Sequence, residues 1–287
     1  MKEVIFMIVY AIPFRAPETT NDWKSCVKRL DRTLQSIFNP INRAPFKCIV
    51  ACNHIPEQLK GKYDSRLEWI ELQMPIPRSW IEMARDKFWK LLEISVHIRV
   101  LLEQQKNPED GIYVMPVDAD DLLNYRIAGY CEAHPDANGF VSKDGYVWQE
   151  GSSIFRIYPQ MHTYCGSCNI IKMYRKDLPE SMPFPIDLCH DGHTAAILNS
   201  QYPIRYDHNI VVEHYRNIGK EFSTLPFRST VYVRGTGDNI SCIFSKSAGT
   251  ADLQKDRFHP VAFLRSMNIF QMKYIGEKVR EEFGITL

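Results

Sequence analysis

Three short apolar runs, residues 4–12, 46–52 and 112–117, alternate with longer stretches whose apolar side chains recur at helical spacing. Runs of this length are buried strands; a membrane helix needs roughly 18 or more uninterrupted apolar residues, and no segment reaches that. Strands separated by helices of this size favour a mainly parallel sheet with helices on both faces. In the first helix Trp23, Val27, Leu30, Leu34 and Ile37 repeat at three- and four-residue steps, with Asn21 or Asp22 as N-cap and Asn39-Pro40 as the stop. Residues 67–74 alternate apolar and polar, as a half-buried or edge strand does. Residues 78–105 carry a long helical pattern.

The third apolar run ends in Asp118-Ala119-Asp120-Asp121. Carboxylates at the carboxyl end of a buried strand are how an open α/β sheet presents a metal site to a ligand. Oxygen-only clusters suit Mg²⁺ and Mn²⁺, which in turn grip phosphates. With 17 Asp in 287 residues the Asp-x-Asp triplet alone is a weak signal, so its position at a strand end carries the argument. Asp118 and Asp120 are the expected ligands, because buried strand ends rarely tolerate paired carboxylates without a cation. Asp121 reads as the N-cap of a helix over 122–133, closed by His134-Pro135.

After about residue 138 the rhythm changes. Residues 139–148 and 153–158 read as β segments, followed by a short strand at 169–174 and a helix over 188–198. Strands are expected at 205–215 and 230–233, and an amphipathic helical region at 259–283. No repeat or linker divides the chain, so a single unit over 1–287 is expected. Hydrophobic residues at 45% and charged residues at 24% are ordinary for a globular protein, and a net charge of +1 gives no global pull towards nucleic acid or anionic membrane. The eight cysteines form no framework; Cys165-Gly166-Ser167-Cys168 has redox or zinc spacing without a second pair, so free thiols are the default. The N-terminus carries no signal-peptide pattern, which makes a cytoplasmic location the expectation.

The order of motifs resembles the family 2-like glycosyltransferases of the GT-A fold, in particular the rhamnosyltransferase-type proteins of bacteria and phages. It rests on the first strand, the Arg29-Leu30-x-x-Thr33-Leu34-x-Ser36-Ile37 helix, Ala84-Arg85-Asp86-Lys87, Val117-Asp118-Ala119-Asp120-Asp121, the Gly145-Tyr146-Val147-Trp148 hairpin region, and Tyr232-Val233-Arg234 with Asp238-Asn239-Ile240-Ser241. The resemblance implies a mainly parallel sheet flanked by helices, with a β-hairpin region and C-terminal helices. It divides the unit into a nucleotide-binding half (1–137), a donor and acceptor half (138–258) and a C-terminal helical region (259–287).

The activity it implies is metal-dependent, inverting transfer of a hexose or deoxyhexose from a nucleotide-diphosphate donor to a glycan or lipid-linked glycan acceptor. By that resemblance Tyr10, Ala11 and Pro13 lie against the base, and Asn53 stands where many relatives carry a base-reading acid. Arg85, Asp86 and Lys87 face the nucleotide, with a solvated helix face as their ordinary alternative. Asp118 also contacts the ribose, and Arg234 with the Asp238-Asn239 turn closes over the diphosphate. Trp148, Glu150, Gly166 and Ser167 contact sugar or acceptor, and His214 joins Asp118 and Asp120 around Mn²⁺ or Mg²⁺. Asp191 is the expected catalytic base, with Asp187 in reserve and N-capping of a helix at Gly192 as the alternative. The stretch 267–283 either packs on the core or rests peripherally on the inner membrane face. Rival readings are a non-catalytic GT-A-like module and, from His190-Asp191, a metal phosphohydrolase that needs an all-helical fold. An Asp-nucleophile phosphatase would want its Asp-x-Asp after the first strand.

Overall fold

A computed structural model describes residues 8–208, 210–234 and 272–285. Among these, two mixed sheets and six α-helices form a mixed α/β architecture. Strand β1 (Ile8–Pro13) pairs in parallel with β2 (Phe46–Cys52) on one side and with β4 (Ile112–Pro116) on the other, and β3 (Leu67–Glu71) extends the β2 side as the expected edge strand. The chain therefore reverses its direction of strand addition between β1 and β4. Crevices that bind ligands open at the carboxyl ends of strands at such a switch point.

Beyond β4 the sheet is mixed. Strand β9 (Asn169–Met173) runs antiparallel to β4 and to β6 (Gly139–Val141), and β10 (Ser223–Thr224) completes the edge. Successive strand residues point to opposite faces, and the core divides accordingly. Ile8, Tyr10 and Ile12 pack with helix α1 (Trp23–Ile37) and helix α3 (Arg126–Ala133). Val9 and Ala11 pack with helix α2 (Trp80–Glu103) and helix α5 (Val211–Asn217). Asp22 caps α1 by accepting from the Ser25 amide, and Ser79 caps α2 by accepting from Glu82. Each Leu or Ile fully buried at these interfaces contributes about 1.5–3 kcal/mol.

A second sheet orders as β12-β8-β7-β11-β5: Met272–Tyr274, Ile154–Tyr158, Gly145–Gln149, Thr230–Arg234 and Leu122–Leu123. The expected β segment at 139–148 is corrected to two strands in different sheets: β6 joins the first, and only β7 forms the hairpin with β8. Residues 122–133 are corrected: Leu122 and Leu123 pair with Thr230 and Val231, and the helix begins only at Arg126. The expected strand at 205–215 is corrected as well, because Pro203–Arg205 is a single 3-10 turn and Val211–Asn217 is helical. In the 259–283 region, residues 259–271 lie outside the described residues. Met272–Tyr274 is a strand against β8, and helix α6 (Glu277–Phe283) buries Val279 and Phe283 against β7 and β8 residues. Helix α4 (Gly192–Gln201) completes the set. Among the described residues no helix is long and apolar enough to cross a membrane.

Candidate active site

The chain from β4 turns sharply as it leaves the sheet. The Val117 amide donates to Ala11 O, and the Asp121 amide donates back to Asp118 O, so three carboxylates issue from one tight turn. Thr33 on α1 donates to Ala119 O at 3.0 Å, and Ser167 accepts from the Asp118 amide at 2.9 Å. The turn is thus held from both sides. It opens into a cleft of about 620 Å³ lined by the end of β1, the first half of α2, the carboxylate turn, Thr163, Tyr164, Gly166, Asp207, His208 and Tyr232.

The three carboxylates have different fates. Asp118 lines the cleft and pairs with the ammonium of Lys87 on α2. Burial works to depress the Lys87 pKa, but the Asp118 carboxylate together with Cys165 and Asp121 outweighs it and the net shift is upward. Asp120 also lines the cleft; burial first, and then the Asp118 charge, push its pKa up to about 7. Asp121 turns inward and is fully buried. Its Oδ2 accepts from Ser167 Oγ at 2.7 Å and lies 3.1 Å from Cys165 Sγ, while Oδ1 accepts from the Val233 amide at 3.3 Å. Burial raises its pKa well above the usual range, with Cys165, Asp120 and Asp118 adding to the shift. Asp121 is therefore no helix cap. It ties the carboxylate turn to the Cys165–Ser167 segment and to β11.

On α2, Asp86 and Lys90 form a buried ion pair at 2.7 Å, and Lys90 also donates to Phe14 O. The solvated-face alternative therefore fails for Asp86. Asp86 lines the cleft, and its Oδ1 is buried without a hydrogen-bond partner among the described residues. A carboxylate oxygen left so costs free energy until something donates to it. Arg29 reaches the cleft from α1 with its Nε 3.3 Å from Glu150, which also holds Arg32 at 2.6 Å.

Of the residues expected from sequence, the structure brings together Pro13, Asp86, Lys87, Asp118, Asp120 and Gly166 around this cleft. Others are elsewhere. Tyr10 and Ala11 are corrected from base contacts to core residues, since β1 is covered on both faces and Tyr10 packs edge-on against Phe46. Trp148 is buried in the second sheet, donating to Ser152 O. Ser167 is buried beneath the carboxylate turn and serves it as a hydrogen-bond bridge. Asn53 is buried, donating to Met74 O, and Arg85 donates to His190 O at 2.6 Å. Glu150 stands behind Arg29, and Arg234 ends β11 with its carbonyl accepting from the Glu150 amide. Asp238 and Asn239 lie outside the described residues.

The two histidine and aspartate expectations in the second half change most. Asp191 is exposed at the N-cap of α4, where its Oδ2 accepts from the Thr194 amide at 2.7 Å. That hydrogen bond first of all holds its carboxyl below the usual range. Neither Asp191 nor Asp187, exposed on the single turn Ile186–Leu188, lines the cleft. His214 is on α5, its ring 4.5 Å from Tyr206 and 5.7 Å from Tyr215, and is not a lining residue either. The histidine that does line the cleft is His208, next to Asp207. Sequence reasoning passed over this pair by extending a strand through it; Pro203 just upstream is the breaker signal that argues for a turn.

Among the described residues no three His, Cys, Asp or Glu side chains converge to form a cage for a metal. Asp118 and Asp120 nevertheless fit a hard divalent ion of the Mg²⁺ or Mn²⁺ kind. Such ions are bound through one or two carboxylates, with phosphates and water completing the shell. Burial first, and then the Asp118 charge, raises the Asp120 pKa, and a bound cation would favour its charged form. Two further cavities lie elsewhere and share no lining residue with this cleft.

No protein-family model matches the chain, and no curated protein matches it in sequence.

Proposed function

We propose that this chain is a GT-A-type glycosyltransferase that moves a hexose or deoxyhexose from a nucleotide-diphosphate donor to a glycan or lipid-linked glycan acceptor. The observation that carries the reading is the pair Asp118 and Asp120, opening with Lys87 into a cleft at the switch point between β1 and β4. An open α/β sheet binds its ligand at that place, and paired carboxylates beside a lysine suit a metal-bridged diphosphate. Asp118 and Asp120 would hold Mn²⁺ or Mg²⁺, and the bound ion supplies neutralisation of charge on the departing diphosphate.

The chain's own groups have separable tasks in this reading. Lys87 offsets phosphate charge as a point cation, exchanging part of its contact with Asp118 for the ligand. Asp86, held by Lys90 and lining the cleft near Phe14, would accept from a ribose hydroxyl or a base N–H there. Glu150 orients Arg29 at the opposite wall. Two mixed sheets disfavour the all-helical phosphohydrolase, and His190-Asp191 does not act as one group: Asp191 caps α4 while His190 Nε2 is buried.

The test is release of nucleoside diphosphate from UDP-glucose, GDP-mannose and dTDP-glucose, with Mn²⁺, Mg²⁺ or EDTA. Release from one nucleotide class that needs metal and is lost in Asp120→Ala supports the reading. No release and no binding from any class removes it.

A further inference from the structure

An inverting transfer needs a group that takes the proton of the attacking hydroxyl, and that group must face the donor. The two aspartates expected from sequence do not line the cleft. We propose that His208 is the catalytic base of this cleft, with Asp207 as its positioning residue. The proposal rests on the transferase reading and goes beyond it by assigning the proton acceptor.

His208 sits beside a carboxylate at ion-pair distance, on a wall of the cleft. His208 lines the same cleft as Asp118, Asp120 and Lys87, on the wall contributed by the second half of the chain. Its Nδ1 stands 3.2 Å from Asp207 Oδ1. A carboxylate there favours the proton on Nδ1 and leaves the basic lone pair on Nε2. The backbone supports the placement, since Asn169 on β9 reaches towards the His208 carbonyl at 3.5 Å.

The surroundings also keep the imidazole neutral. Burial acts first to lower its pKa; Asp207 opposes this, Lys87 adds to the lowering, and Asp118 and the Thr163 backbone oppose it, with a net downward shift. A neutral histidine at pH 7 can accept a proton, whereas a protonated one cannot.

The step balances simply. The acceptor hydroxyl oxygen forms a bond to the anomeric carbon as its proton passes to His208 Nε2. The bond from that carbon to the diphosphate oxygen breaks, and its electron pair leaves on the nucleoside diphosphate. His208 then returns the proton to solvent.

The experiment uses water as the acceptor, because it needs the same base and no glycan has to be identified. Hydrolysis of UDP-glucose, GDP-mannose and dTDP-glucose is followed from pH 5 to 9 with Mn²⁺ for the wild type, His208→Gln and Asp207→Asn, beside calorimetric binding of UDP, GDP and dTDP. His208→Gln is expected to lose about 100-fold or more in turnover, together with the acid limb of its pH profile, while nucleotide binding persists. Asp207→Asn is expected to move the acid limb to lower pH, since Asp207 raises the His208 pKa. Nitrogen-15 spectra of labelled histidine give a readout without turnover: at pH 7 the ring carries its proton on Nδ1.

Turnover in His208→Gln within about threefold of wild type, with an unchanged acid limb, overturns the assignment and leaves the transferase reading standing. A ring protonated only on Nε2 overturns it too. Nucleotide binding without any hydrolysis in the wild type also removes His208 as a working base. Absence of both binding and hydrolysis defeats the transferase reading itself.

Discussion

The ammonium of Lys87, on the second turn of α2, stands on the Oδ1 of Asp118 at the end of β4. This contact joins a helix on one face of the sheet to the turn that carries the carboxylates. In the absence of ligand the lysine serves as the local counter-ion. An anionic ligand with its own cation would compete for both partners.

Lys87→Gln is therefore expected to weaken binding of UDP or GDP about tenfold, which is about 1.4 kcal/mol. The loss should be largest at low ionic strength, because the lysine acts as a point charge. Calorimetric titration at two salt concentrations checks it. Equal affinity in variant and wild type at both would show that the diphosphate does not reach α2.

Asp120 makes stability pH-dependent in a defined direction. Its folded pKa is raised to about 7 from an ordinary aspartate value near 3.8. Between those two values the folded state binds more protons than the unfolded one, so stability falls as pH rises through that window. Asp120→Asn is expected to remove this term, raising Tm at pH 8 by a few degrees and changing it little near pH 4. Thermal melts of both proteins across this range, without divalent ions, decide it.

Asp121 should behave as a structural group. A neutral carboxyl with buried partners is closely imitated by an amide, so Asp121→Asn is expected to fold with a small loss. Asp121→Ala leaves the Val233 amide and the Ser167 hydroxyl without their acceptor, at a cost of about 1–3 kcal/mol for each group left unsatisfied. Denaturant unfolding of the two variants separates these outcomes. Equal losses would mean the hydrogen bonds do not matter there.

Asp191→Ala is expected to lower stability modestly, through loss of the side chain that accepts from the Thr194 amide at the start of α4. Donor hydrolysis measured well below its Tm should remain within a few-fold of wild type. A drop of two orders of magnitude would restore Asp191 as the catalytic base.

Much of this arrangement was legible in the sequence, for a physical reason. Strands β1, β2 and β4 are buried on both faces, so they read as near-continuous apolar runs, interrupted in β2 only by Lys47, and α1 and α2 carry long helical patterns with capping residues. The carboxylates at the end of β4 could be placed because a strand end fixes where they emerge. What failed was non-local. Leu122-Leu123 is a strand only because Thr230 and Val231 pair with it more than 100 residues later. Asp191 and Asp121 share a residue type and both precede apolar stretches, yet one caps a helix and the other is buried under a loop. His208 and His214 are six positions apart, and only the turn near Pro203 and the start of α5 decide which of them lines the cleft.

The central claim is that Asp118 and Asp120 hold a divalent ion together with a nucleoside diphosphate. Its most direct test is calorimetric titration of UDP, GDP and dTDP into the wild type and into the Asp118→Ala, Asp120→Ala double variant, each with Mn²⁺ and with EDTA. The account predicts that one nucleotide binds the wild type with Mn²⁺, binds much more weakly with EDTA, and gains nothing from Mn²⁺ in the variant. Nucleotide binding that is the same with Mn²⁺ and EDTA, or that survives in the double variant, would contradict it.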